Sequence, residues 1–133
     1  MDLFAGTGSL GLEALSRGAK KSHFVEGSHK AVQIIKKNIS KLQVSEHSLI
    51  SKKRVNRFIR TCEDKFDLIF IDPPYGKNLV NETIELIYEN DLLTENAQVV
   101  VERFYKEDIA DIFRDKITSD KNYKTTSITI LKK

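Results

Sequence analysis

Three glycines, Gly6, Gly8 and Gly11, sit where a short apolar stretch gives way to helical spacing, and that arrangement leaves few folds open. Asp2-Leu3-Phe4-Ala5 reads as the end of a strand, and Leu10, Ala14 and Leu15 as one face of a helix that stops at Gly18. A chain passing from strand to helix this quickly needs positions without a β-carbon, for the bend, for ligand approach and for packing helix on sheet. The next strand candidate is Ser22-His23-Phe24-Val25, and Glu26 ends it 20 positions after Gly6. A carboxylate there can accept both hydroxyl hydrogens of a ribose.

Glycines at this spacing serve NAD and adenosyl cofactors alike. Asp2 separates the two. A pyrophosphate seeks backbone N–H groups and a helix dipole, whereas a carboxylate four residues before the first glycine repels phosphate and suits an α-amino group and a sulfonium. The balance favours S-adenosyl-L-methionine.

A second signal follows Leu68-Ile69-Phe70-Ile71, an uncharged run that suits a strand buried on both faces. Asp72-Pro73-Pro74-Tyr75 comes directly after it. Each proline fixes its own φ near about −65° and keeps the preceding residue extended, so the mouth of the strand is rigid. The Asp72 carboxylate and Pro73 carbonyl then offer two acceptors and Tyr75 a stacking face. That set matches an exocyclic amine on a flat base, although Asp and Pro also simply form turns.

The rest of the chain alternates. Ser28 caps a helix with Ala31, Val32, Ile35, Ile39 and Leu42 on its apolar face and Lys30, Lys36, Lys37 and Lys41 outward. Residues 48–51 suit a third strand and 55–59 a turn of helix. Val80, Thr83, Ile84 and Ile87 mark a helix, Val99-Val100-Val101 a fifth strand ending at Glu102, and residues 108–116 a further helix. Residues 117–131 hold two strands around Asp120-Lys121-Asn122. The fold class is α/β, a Rossmann-like, mostly parallel sheet with helices on both faces and a C-terminal antiparallel hairpin, with ligands at the carboxyl ends of the strands.

A length of 133 residues makes one domain. No apolar stretch is long enough to span a bilayer and no secretory signal stands out, so a cytoplasmic, membrane-free setting is expected. The lone Cys62 has no disulfide partner within the chain, and His23, His29 and His47 lack metal spacing, so no metal is expected. Charge is segregated: residues 17–60 carry 12 basic and 2 acidic side chains, while the whole chain totals +3. Lysines on solvated helix faces account for such a stretch, and so does a polyanionic partner whose binding weakens steeply with salt.

The run from Asp2 to Ala19, then Phe24-Val25-Glu26 and Phe66 to Tyr75, resembles the RsmD family of bacterial methyltransferases. The resemblance implies a class I methyltransferase domain over residues 1–133 that transfers methyl from S-adenosyl-L-methionine to the N2 amine of a guanine in small-subunit ribosomal RNA. It implies a cofactor site of Asp2, Phe4, Gly6, Gly8, Glu26, Arg54, Val55 and Asp72, and a catalytic lip of Asp72, Pro73, Pro74 and Tyr75. In this fold the first and fourth strands are neighbours, so glycine loop and lip are expected to share one crevice. The partner is ribosomal RNA or an assembling small-subunit particle, and the protein is expected to be a monomer.

Three departures accompany the resemblance. The family has a hairpin and an Arg-rich helix ahead of the first strand, whereas this chain starts at Met1, so an amino-terminal truncation with less RNA-gripping surface is expected. Arg54 stands where an Asp or Asn often reads the adenine amine, which leaves that task to the backbone near Val55. Tyr123 is followed by Lys124 where a glycine is usual. Methylation of adenine N6 or cytosine N4, and a catalytically silent fragment that binds cofactor or RNA, remain alternatives.

Overall fold

The computed structural model describes residues 1–133. Its strands form a mostly parallel seven-stranded sheet. Contacts divide the chain into two compact units, Met1–Phe58 and Ile59–Lys133.

The first unit holds strands β1 (Asp2–Leu3), β2 (Ser22–Val25) and β3 (Ser48–Ser51) and helices α1 (Ser9–Ser16), α2 (His29–Lys41) and α3 (Val55–Ile59). β2 is central and parallel to both neighbours, with Asp2 opposite Phe24 and Val25 opposite Ser51. α1 ends as expected at Gly18, where the N–H groups of Gly18 and Ala19 turn back to the carbonyls of Leu15 and Ala14. The Ser28 hydroxyl caps α2 by accepting the Ala31 N–H at 3.3 Å. Apolar residues at helical spacing bring Ile35 and Ile39 onto Phe24 and Ala5, with Leu12, Val44 and Ile50 packed around them. Burying each such side chain contributes ~1.5–3 kcal/mol. Leu42 departs from the expected apolar face. It caps the carboxyl end of α2 with its N–H still on the Asn38 carbonyl, and its side chain is 55% exposed.

The second unit holds β4 (Phe66–Ile71), α4 (Leu79–Glu89), β5 (Leu93–Phe104), β6 (Ile117–Tyr123) and β7 (Thr126–Lys132). β4 runs parallel to β5, and β5, β7 and β6 follow antiparallel. Val80, Thr83, Ile84 and Ile87 of α4 are buried, as their spacing requires. Three local expectations are corrected. β5 starts at Leu93, well before Val99; Phe66 pairs with Leu93 and Leu68 with Gln98, so its first half bulges and its polar residues hide it. Residues 108–116 form no α-helix, only a 3₁₀ stretch at Asp111–Lys116. The hairpin does not turn around Asp120-Lys121-Asn122: β6 runs through them and the chain reverses after Tyr123, with Lys124 at φ 50° in the position where glycine is usual.

β6 holds this register because Asp120 has a partner across the sheet. Arg103, only 4% exposed, donates to both Asp120 carboxylate oxygens at 3.0 and 2.8 Å, to Thr129 Oγ1 at 2.9 Å and to the Glu107 carbonyl at 2.6 Å. Every helix is too short or too polar to cross a membrane.

Candidate active site

The loop between β1 and α1 is built around its own N–H groups. Gly6 donates to Glu26 Oε2 at 2.9 Å, Gly8 to the Ala5 carbonyl at 2.6 Å, and Gly11 to Asp2 Oδ2 at 2.9 Å. All three glycine N–H groups are therefore spent within the protein, two of them on carboxylates. Gly8 opens α1 with φ 81°, a left-handed conformation that suits a residue without a side chain. At Gly11 the reason for glycine is closeness, since a β-carbon would lie 2.4 Å from Phe24 Cε1 and 2.5 Å from Ser22 Oγ. Phe4 also takes a positive φ, 58°, with a side chain that makes this costly; ~1–3 kcal/mol is typical of strain held at a site.

Asp2 also serves the loop itself. It is 1% exposed, and one carboxylate oxygen holds the start of α1 through Gly11, so it fastens the loop from within. Glu26 ends β2, half-buried, its second oxygen accepting the Ser28 N–H at 2.8 Å. Each Glu26 oxygen keeps a further acceptor direction. Beside it, Gly27, Lys52, Lys53, Arg54, Asn56 and Arg57 line an open pocket of about 420 Å³. Arg54 is exposed on its wall, and Val55, 7% exposed, begins α3.

In the second unit β4 delivers Asp72-Pro73-Pro74-Tyr75. Ile69 and Ile71 are fully buried, while Leu68 and Phe70 on the other face are only half-buried, so the strand is less enclosed than its composition suggests. Asp72 meets solvent, Pro73 is buried, and Tyr75 is 55% exposed. The Tyr75 hydroxyl lies 3.2 Å from Thr126 Oγ1 and its ring 6.2 Å from that of Phe104. One edge of the ring is thus tethered while most of it stays open.

Glu102, which the sequence marks only as a strand residue, belongs beside this lip. β4 and β5 are in register to Ile71 opposite Val101, so Asp72 and Glu102 are the next residues on adjacent parallel strands. Desolvation at the strand end, and secondarily the Glu102 charge, push the Asp72 carboxyl above its ordinary 3.8. The fifth strand does not end at Glu102 as expected but runs on to Phe104, its β7 partners continuing past Glu102; an acid directly after Val99-Val100-Val101, beside a strand tipped by Asp72, is the signal that could have found it.

Comparisons with known proteins agree with this layout. The family model described as conserved hypothetical protein 95 matches residues 1–132. Ribosomal RNA small subunit methyltransferase D of Haemophilus influenzae is 40% identical over 105 residues, covering 77% of this chain and 54% of that protein. A solved structure of a conserved hypothetical protein from Streptococcus pyogenes superposes with a TM-score of 0.87 at 34% identity, over 99% of this chain and 84% of that one. The ribosomal protein L11 methylase of Lactobacillus delbrueckii shares the fold, with a TM-score of 0.77 at 21% identity over 99% of this chain and 68% of that one. The matched region spans from 51 to 74% of the length of the first curated relatives. The architecture is that of the class I methyltransferases.

Proposed function

The chain belongs to the family described as conserved hypothetical protein 95, the RsmD family, and from that premise we propose that it is an S-adenosyl-L-methionine-dependent methyltransferase of small-subunit ribosomal RNA acting on the N2 amine of a guanine. The observation that carries the cofactor choice is that all three glycine N–H groups are already spent within the protein. A dinucleotide needs such donors for its pyrophosphate, whereas two carboxylates in and under the loop favour ribose hydroxyls and a positively charged ligand. The residues present fit S-adenosyl-L-methionine.

When bound, the cofactor supplies an electrophilic methyl group on a sulfonium. In this reading Glu26 accepts the ribose hydroxyl hydrogens, Gly6, Gly8 and Phe4 form the surface over which the ligand lies, and Arg54 and Val55 flank the adenine. Asp2 acts from beneath by holding the loop. On the acceptor side, the amine lone pair of guanine is delocalised into its ring. The Asp72 carboxylate and the Pro73 carbonyl hold its two hydrogens and orient the nitrogen, and the open face of Tyr75 stacks on the base, worth ~1–3 kcal/mol. Pro74 keeps the lip stiff. Asp72 is an orienting acceptor, because the amine becomes acidic only as the new bond forms. Orientation of this kind supplies up to ~7–11 kcal/mol of a barrier.

The RNA reading rests on charge. Residues 17–60 carry 12 basic and 2 acidic side chains, a surface on which RNA phosphates can collect.

Transfer of tritium from labelled S-adenosyl-L-methionine to unmodified small-subunit particles, followed by nucleoside analysis, tests the proposal. Label in N2-methylguanine is expected. Label in N6-methyladenine or N4-methylcytosine would select a different amine, and cofactor binding without transfer to any particle would leave a silent binding module.

A further inference from the structure

Resting on the guanine reading above, we infer that Glu102 is the residue that identifies the base, its carboxylate accepting the guanine N1–H beside the amine held at the Asp72 lip.

The placement follows from the sheet. Asp72 follows the end of β4 and Glu102 lies within β5, each one step beyond the Ile71–Val101 pair, on parallel strands whose spacing is about 4.8 Å. Side chains alternate along β5: Val99, Val101 and Arg103 are buried on one face, and Val100, Glu102 and Phe104 lie half-buried on the other. On that second face Glu102 stands opposite Ile128 of β7 and Phe104 opposite Thr126. Tyr75 reaches the same place, with its hydroxyl at Thr126 and its ring against Phe104. Asp72, Glu102 and the Tyr75 ring thus form one cluster of two acceptors and a stacking surface.

Glu102 does nothing evident for the fold. The ion pairs of the second unit involve Asp91, Asp111 and Asp120, and no hydrogen bond or cation answers the Glu102 side chain. Instead it faces a second acid, and like charges side by side on neighbouring strands cost stability. A half-buried carboxylate in that position gains a partner when a ligand brings donors.

Guanine brings them in the right order. Its N1–H lies next to its N2 amine, so one base edge offers donors to both acids at once. Adenine and cytosine place a ring nitrogen lone pair beside their amines, and an ionised carboxylate can only accept. The lone pair would face Glu102 without a hydrogen between them, leaving both groups unsatisfied. Asp72 selects an amine, and Glu102 selects which one.

The test compares guanine with 2-aminopurine, which keeps the N2 amine but carries a lone pair at N1. Small-subunit particles are reconstituted with either base at the position that the wild-type protein methylates, and kcat/KM is measured with saturating S-adenosyl-L-methionine. Wild type should prefer guanine by ~10²-fold or more, in line with sites built to bond a donor. Glu102→Gln, whose amide can donate to N1 and whose carbonyl can accept from N1–H, should bring the two substrates within ~10-fold. Glu102→Ala should narrow the gap as well, and because the ratio of the two substrates is read within each protein, a change in stability or in the amount of folded protein does not alter it. A wild type indifferent to the change, or variants that retain its full preference, overturns the role of Glu102 alone. Wild-type label on an adenine or cytosine amine overturns the guanine reading and this inference together.

Discussion

Gly11 donates its backbone N–H to the buried carboxylate of Asp2 at 2.9 Å, so the acid at the end of the first strand holds the first helix in place. Asp2→Ala leaves that N–H without its acceptor in a site that is 1% exposed. The expected loss is about 1–3 kcal/mol in urea denaturation, with weaker S-adenosyl-L-methionine binding by calorimetry. Unchanged stability would mean the bond is dispensable.

Gly11→Ala tests the contact at the same place from the other side. Its β-carbon would meet Phe24 and Ser22 at 2.4 and 2.5 Å, and Phe24 is fully buried, so neither neighbour can step aside freely. Overpacking of this kind costs about 1–3 kcal/mol, to be read from the denaturation midpoint.

Asp120→Ala removes the partner of Arg103. Breaking a fully buried pair costs ~3–5 kcal/mol, but the Asp120 side chain is 40% exposed and water can replace part of it. Thr129 and the Glu107 carbonyl also remain with the guanidinium. A loss of about 3 kcal/mol or less is therefore expected from equilibrium unfolding, with faster exchange of the amides that join β6 to β7.

The raised carboxyl of Asp72 fixes the sign of a pH effect. Because its folded value lies above 3.8, ionising it opposes folding: its contribution to stability is present in full below 3.8 and is lost as pH rises through the folded value. Activity runs the other way, since the amine is held by the ionised form. The acid limb of kcat/KM should fall above 3.8, and Glu102→Gln, by removing the neighbouring charge, should move it down. A limb that stays in place would separate Asp72 from the titration.

The parts of the fold that the sequence disclosed are those where one residue type answers one local need. The glycine turn, the cap at Ser28 and the helical spacing of Val80, Thr83, Ile84 and Ile87 are of this kind. What it concealed depends on partners far along the chain. β6 runs through Asp120 because Arg103, 17 residues earlier, answers it. β5 begins among polar residues because a bulge absorbs them. In the site, the type and spacing of Asp2, Glu26 and Asp72 were readable, but the inward turn of Asp2 and the pairing of Glu102 with Asp72 are facts of sheet register.

Asp72 is proposed to hold the acceptor amine during methyl transfer. Single-turnover methyl transfer by Asp72→Ala, at saturating S-adenosyl-L-methionine on small-subunit particles, tests it most directly. The account predicts a rate lower by ~10²-fold or more while the protein stays folded and still binds the cofactor. A wild-type rate from that variant would contradict it.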